Sequence, residues 1–281
     1  MISILGIVVA YKPDIRVLCE DINSFIDDVN RVVVWMNSDF DAERVAGNVR
    51  YPEKLSFMGD KENVGIGKAF NTVIKACGKQ YDFILTMDQD SKWENFREYA
   101  EHIASGNRNE KNIYGPCINV DPEFSESARD VVVDHVITSG CMLPLAVFYE
   151  AGYFNEPFFI DAVDEEFCYR AKEYGYRIVQ TGSGRLLQTF GSPKIRNILG
   201  KKISFSEYSP IRLYYQARNH LFLVRAYRLE KKTRTRLILR YAFLPFFDIL
   251  FYQSAKREKV AALFKGIAHG LSVKAEKMKN V

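Results

Sequence analysis

The chain has 281 residues, 47% hydrophobic and 26% charged, with a formal net charge of +4. This is the make-up of an ordinary globular protein, long enough for one large domain with an appendage and able to bury a sizeable core. The charge is too small to argue for a nucleic-acid partner, and no uncharged run reaches the ~18 residues that a membrane-spanning helix needs.

Ile2 to Ala10 is a nearly continuous apolar run that stops at Tyr11-Lys12-Pro13-Asp14. It reads as a first strand buried on both faces, and not as a signal peptide, because it lacks a basic region and a small-residue cleavage site. Residues 14–28 carry Ile15, Leu18, Ile22, Phe25 and Ile26 at helical spacing. Arg31 to Met36 predicts a second strand, ending at Asn37-Ser38-Asp39, and Leu55 to Met58 a third. Residues 64–77 predict a helix opened by glycines, and Phe83 to Met87 a fourth strand ending at Asp88-Gln89-Asp90-Ser91. Strands alternating with helices predict a doubly wound, mostly parallel α/β sheet. Ligands bind such sheets beyond the carboxyl ends of the strands. That marks Tyr11, Asn37 to Asp39, Asp60 to Gly67, and Asp88 to Ser91.

Further on, residues 113–120 and 131–143 predict strands, Val147 to Ala151 a short helix, Asp164 to Tyr174 a helix ended by Gly175, and Arg177 to Thr181 another strand. The five cysteines, Cys19, Cys77, Cys117, Cys141 and Cys168, are odd in number and never closely spaced, as expected of reduced cytosolic thiols. After residue 230 the style changes. A basic segment, Glu230 to Arg236, precedes a strongly aromatic one, Leu237 to Tyr252, in which Pro245 should interrupt any helix. Lys256 to Lys279 then mixes cations with Val260, Leu263, Phe264, Ile267 and Leu271.

Three segments can carry chemistry. Asp88 and Asp90 place two carboxylates just past a buried strand, where a pair can hold Mg²⁺ or Mn²⁺ against a diphosphate. In Asn63-Val64-Gly65-Ile66-Gly67-Lys68, Gly65 and Gly67 let the backbone approach a ligand at a helix start, and Lys68 can meet a phosphate. Taken alone, the segment reads better as a plain loop-to-helix turn with an exposed lysine, since it has neither the third glycine of a dinucleotide fingerprint nor a P-loop. Asp161, Asp164, Glu165 and Glu166 cluster around a predicted helix start. Glu165 and Glu166 suit helix caps. Asp164, preceded by aromatic residues that can line a pocket, is the candidate general base.

With these pieces in hand, the chain resembles family 2 glycosyltransferases of the GT-A fold, and within them the rhamnosyltransferase-like branch. The matching segments are Val8 to Pro13, Asn63 to Gly67, Met87 to Ser91, Thr138 to Gly140, Phe159 to Arg170 and Ser209 to Asn219. They are individually weak but collinear. The resemblance implies a Rossmann-like GT-A catalytic domain over residues 1–228 and a helical, basic-aromatic extension over 229–281. It implies a nucleobase site at Ala10, Tyr11 and Asn37, with Asp60, Gly65 and Lys68 along the nucleotide. Asp88 and Asp90 would be the metal-binding Asp-x-Asp, Asp90 the more direct ligand, and Asp164 the catalytic base of an inverting reaction. Arg212, Tyr215 and Arg218 would hold the diphosphate or the acceptor. Gln188, in Leu187-Gln188-Thr189-Phe190-Gly191, stands where many members carry a His.

The implied partners are a nucleotide-sugar donor, with rhamnose on a thymidine diphosphate one option and UDP-hexoses another, and a saccharide or lipid-linked acceptor in cell-surface polysaccharide synthesis. The implied place is the cytoplasm or the inner face of the cell membrane. Two readings fit the tail: amphipathic helices on an anionic membrane, or a cap packed on the catalytic domain or on a second copy. Two rival functions remain. A nucleotidyltransferase needs a glycine-rich loop after the first strand, and Tyr11 to Asp14 has no glycine. A non-catalytic GT-A-like nucleotide-sugar binder is kept open by Gln188.

Overall fold

A computed structural model describes residues 2–106, 110–119, 129–188, 194–198, 201–205 and 207–273, with 194–205 described by backbone alone. The chain falls into two compact units, Met1–Glu156 with Phe167–Thr189, and Pro157–Glu166 with Phe190–Val281.

In the first unit, β1 (Ile4–Ala10) is buried at every position. It lies between β2 (Arg31–Met36) and β4 (Phe83–Asp88), parallel to both, and β3 (Leu55–Met58) extends the parallel set beyond β2. Val, Ile and Leu dominate these strands because helices cover both faces of a parallel sheet. The helices of this half are α1 (Ile15–Asn23), α2 (Ala42–Ala46) and α3 (Ile66–Cys77). Asp14 starts α1 by accepting the backbone N–H groups of Arg16 and Val17. The helix predicted over 14–28 stops at Asn23, and Ile26–Asp28 forms a separate 3₁₀ turn.

The rest of this unit adds β5 (Ser91–Trp93), α4 (Phe96–Ser105), β6 (Asn112–Ile118), β7 (Val131–Val132), β8 (Cys141–Pro144), α5 (Ala146–Glu150) and β9 (Arg177–Gln188). The sheet order is β3-β2-β1-β4-β8-β6-β9-β5, with β7 paired to β9. Parallel pairing on the β1 side gives way to antiparallel pairing at β4/β8, β6/β8 and β5/β9. The single strand predicted over 131–143 is two short ones. Gly140, at φ +78°, turns the backbone between them, and a Cβ there would press on Pro116 and Trp93. The strand predicted to end at Thr181 runs on to Gln188, passing Tyr99 at Gly184, where a Cβ has no room. Residue 120 of the predicted 113–120 strand lies outside the described residues. Phe25, Trp93, Phe96 and Tyr99 pack edge-on and tilted in the core beneath β1 and β4.

The second unit has an antiparallel hairpin, β10 (Lys194–Ile198) with β11 (Lys201–Phe205). Its helices are α7 (Pro210–Ala226), α8 (Lys231–Ile238), α9 (Leu244–Phe251) and α10 (Lys256–Ser272). The remaining helix, α6 (Val163–Glu173), begins in this unit and ends in the other. Pro210 opens α7 behind the Ser209 cap. A π turn, Leu239–Phe243, joins α8 to α9, so Pro245 falls in the first turn of α9, where its missing N–H costs nothing. Gly266 and Gly270 let α10 press directly on the α7 backbone at Tyr214 and Arg218. Residues 274–279 of the predicted final segment lie outside the described residues.

Candidate functional site

Strand order reverses at β1, with β2 and β3 on one side and β4 on the other. That is a topological switch point, and the crevice beyond its carboxyl ends is the expected ligand site of an open α/β sheet. Val9 pairs with Asp88 in the β1–β4 register, so Ala10 and Tyr11 leave the sheet beside Asp88 and Gln89. The Gln89 side chain closes this edge by accepting the Tyr11 backbone N–H at 2.5 Å. Tyr11 itself is 43% exposed, an aromatic ring free to meet a base.

Asn37, just past β2, is buried and fully committed. Its backbone N–H donates to Ala10 O (2.8 Å), its Oδ1 accepts the Val64 N–H (2.9 Å), and its Nδ2 donates to Asn63 Oδ1 (3.1 Å). It therefore shapes the loop that leads to Gly65. Gly65, at φ +82°, caps α3 without a side chain, which leaves the N–H groups of the first helical turn and Lys68 to an anion. Asn71, one turn on, clamps Phe154 through both the backbone N–H and the carbonyl, so it is a packing residue. Asp60 and Lys68 are both exposed.

Asp88 ends β4. Ser139 Oγ accepts its backbone N–H (3.2 Å), and Gln188 Nε2 donates to its Oδ2 (2.9 Å). Gln188 sits opposite Ser91 across β5 and β9, and Asn119 locks its backbone on both sides with two 2.9 Å bonds. The Gln188 amide must turn its N–H to the carboxylate, which leaves Oε1 buried with no hydrogen bond. Asp90, although exposed, is surrounded by enough protein that desolvation raises its carboxyl above the ordinary range, against a hydrogen bond from its own backbone N–H. Behind it, Asp21 on α1 is 6% exposed; its carboxyl is raised to about 7, first by burial and then by the charge of Asp90. Among the described residues no group of three or more His, Cys, Asp or Glu is placed to hold a metal ion.

In the second unit the predicted acidic segment is built differently. Phe159, Asp161 and Ala162 all have positive φ, at 60°, 62° and 60°. Asn219, fully buried on α7, donates through Nδ2 to the carbonyls of Phe158 (3.0 Å), Ile160 (2.9 Å) and Asp161 (2.8 Å). Arg212 grips both carboxylate oxygens of Asp161 at 3.2 Å. Asp164 Oδ1 accepts the Glu165 N–H at 2.9 Å, Glu165 faces His220 at 3.6 Å, and Glu166 accepts the Tyr227 hydroxyl at 2.6 Å. Tyr215 stacks on Phe159, and the Arg218 guanidinium lies over the Tyr215 ring, 4.7 Å from its centroid. The sequence reading gave no role to Gln89, Ser139, Asn219 or Asp21. Gln89, Ser139 and Asn219 lie inside the matched motifs, but nothing in spacing distinguishes a loop clamp from a ligand contact.

No protein-family model matches the chain. In sequence it is 26% identical over 249 residues, 79% of its length and 80% of the relative's, to a dTDP-rhamnosyl transferase, RfbF, of Shigella flexneri. Among solved structures it superposes on GalNAc-T7 with UDP, GalNAc and Mn²⁺ (TM-score 0.63, 11% identity, covering 99% of this chain and 57% of that one). It therefore spans little more than half of that protein. It also superposes on S. aureus TarS residues 1–349 (TM-score 0.58, 16% identity, covering 94% and 81%). A third match is the mannosyltransferase PcManGT of Pyrobaculum calidifontis with GDP-Man and Mn²⁺ (TM-score 0.58, 13% identity, covering 98% and 78%). The chain has the GT-A fold and is similar to the rhamnosyltransferase-like branch of family 2 glycosyltransferases.

Proposed function

We propose that this chain is an inverting glycosyltransferase that moves a sugar, rhamnose from a thymidine-diphosphate donor in the first instance, to a hydroxyl of a saccharide or lipid-linked saccharide. The observation that carries the reading is the Asp88-Gln89-Asp90 rim at the switch point, tied on one side to Tyr11 and on the other to Gln188. The similarity to a dTDP-rhamnosyl transferase supports the donor.

The residues present fit a divalent ion. Asp88, Asp90 and Gln188 Oε1, which has no hydrogen bond, are oxygen donors of the kind that suits Mg²⁺ or Mn²⁺ and would hold such an ion together with phosphate oxygens. A bound ion would neutralise the charge that develops on the departing nucleoside diphosphate. Around it, Tyr11 stacks on the base, and the loop held by Asn37 presents the start of α3 and Lys68 to the phosphates. Asp164 takes the proton of the attacking hydroxyl, and Arg212, Tyr215 and Arg218 serve the acceptor or the phosphates.

The test is transfer by the purified chain from a panel of nucleotide sugars that includes dTDP-rhamnose, with released nucleoside diphosphate as the readout. Asp164→Asn should keep its melting temperature and its donor affinity and lose turnover about 10²- to 10⁴-fold. Wild-type rates in that variant would remove Asp164 from the chemistry; no turnover of any donor by the native chain would overturn the whole reading.

A further inference from the structure

The helical run of α8, the π turn and α9, residues 231–251, is apolar on two opposite faces. One column, Thr233, Leu237, Pro245 and Ile249, is buried, and Tyr241 in the same column stacks on His220 with ring centroids 3.4 Å apart. The opposite column, Leu239, Phe243, Phe247 and Phe251, is 45%, 54%, 39% and 59% exposed, with Leu244 and Leu250 beside it at 50% and 44%. A helix apolar on two opposite faces needs an apolar partner on each, and contiguous exposed patches of this kind mark contact surfaces.

The charge pattern selects the occupant. The run holds Lys231, Lys232, Arg234, Arg236 and Arg240 against one acid, Asp248. Lys231, Lys232, Arg236 and Arg240 line one concavity of about 990 Å³ together with Leu239 and Leu244. A two-fold contact with a second copy through this face would press the same net-positive patch against itself, because an isologous interface uses one surface on both subunits, and bringing like-charged patches together is costly. An anionic bilayer satisfies both halves: acyl chains take the phenylalanines and leucines, and headgroup phosphates take the cations. No helix among the described residues is long and apolar enough to cross a membrane, so the contact is with the surface.

We infer that Leu239, Phe243, Phe247 and Phe251, rimmed by Arg236 and Arg240, form a docking face for an anionic lipid bilayer. The full chain should float with vesicles of phosphatidylcholine containing 30% phosphatidylglycerol and should bind pure phosphatidylcholine at least tenfold more weakly. Raising salt from 0.05 to 0.5 M should release much of it. Phe243→Asp with Phe247→Asp should abolish flotation, and Arg236→Gln with Arg240→Gln should reduce it about 25-fold, at roughly fivefold per cation removed. Both pairs are exposed, so the melting temperature and nucleotide release should be unchanged, which keeps this test independent of the proposed reaction. Equal binding to both vesicle types, or unaltered flotation of the Phe variants, overturns the inference. So does a wild-type dimer in light scattering that the Phe variants dissociate while neither floats, which would assign the face to a second copy.

Discussion

Asp21 is the least expected group near the rim. It lies on the buried side of α1, 6% exposed, and its Oδ2 makes no hydrogen bond. Burial first, and the Asp90 charge second, hold its proton up to about pH 7, against 3.8 for the ordinary carboxyl. Between those two values the folded chain binds more protons than the unfolded one. Stability therefore falls as pH rises from about 4 to about 7 and levels off above that. Partial hydration of the site brings the expected loss to ~2 kcal/mol, below the full separation of the two values. Asp21→Asn removes the titration. Urea unfolding at pH 5 and pH 8 should then show a flatter dependence than the native chain, and comparing slopes cancels the fixed cost of burying the amide. Identical slopes would mean that Asp21 is ionised in the folded state throughout. Nothing in the periodicity of residues 14–28 singled this aspartate out, because a polar residue one step off the apolar stripe reads as exposed.

Among the elements, the segment before Asp164 is held against its own preference. Three L-residues at positive φ cost on the order of 1–2 kcal/mol each. Asn219 offsets this by spreading two N–H groups over three carbonyls, and Arg212 adds the grip on Asp161. Asn219→Ala takes the side-chain donor from the Ile160 and Asp161 carbonyls, while Phe158 O keeps the Ile160 N–H, so it should cost ~1–3 kcal/mol. It should also speed amide exchange across 158–162 while β1 and β4 exchange as before. Uniform exchange changes in both regions, or none in either, would deny Asn219 that local role. The strain is illegible in sequence, because Phe159, Asp161 and Ala162 are not glycines and nothing marks them for the left-handed region. β1, β2, β3 and β4 were legible for the opposite reason: strands buried on both faces must be continuously apolar, and turn residues bound them. β9 was cut short at Thr181 because Gly182-Ser183-Gly184 reads as a break, whereas the Tyr99 ring requires that glycine inside the strand. The candidate rim was legible as positions past strands. Its wiring through Gln89, Ser139 and Gln188 was not, since hydrogen bonds between residues 78, 51 and 100 positions apart leave no local signal.

For the whole molecule, the proposed site makes ion and nucleotide interdependent. Two carboxylates and one amide oxygen are too few to complete six-fold coordination, so the protein alone should hold Mg²⁺ or Mn²⁺ weakly. A diphosphate without the ion would face Asp88 and Asp90 directly and be repelled. Each ligand supplies what the other lacks, and the coupling must be reciprocal. Thermal unfolding reads this out without any acceptor. A ligand at 100 times its dissociation constant stabilises the folded state by ~2.7 kcal/mol. For a chain of this size that corresponds to a rise of roughly 5–10 °C. Mn²⁺ with thymidine diphosphate should produce such a shift, either alone should move the transition by less than about 2 °C, and EDTA should cancel the joint effect. Asp88→Asn with Asp90→Asn should abolish the synergy while leaving the unliganded transition in place. A nucleotide shift that survives EDTA intact would show that the rim carboxylates are not bridged to the phosphates by an ion. The role of Gln188 Oε1 would then have to be sought in contact with the nucleotide itself.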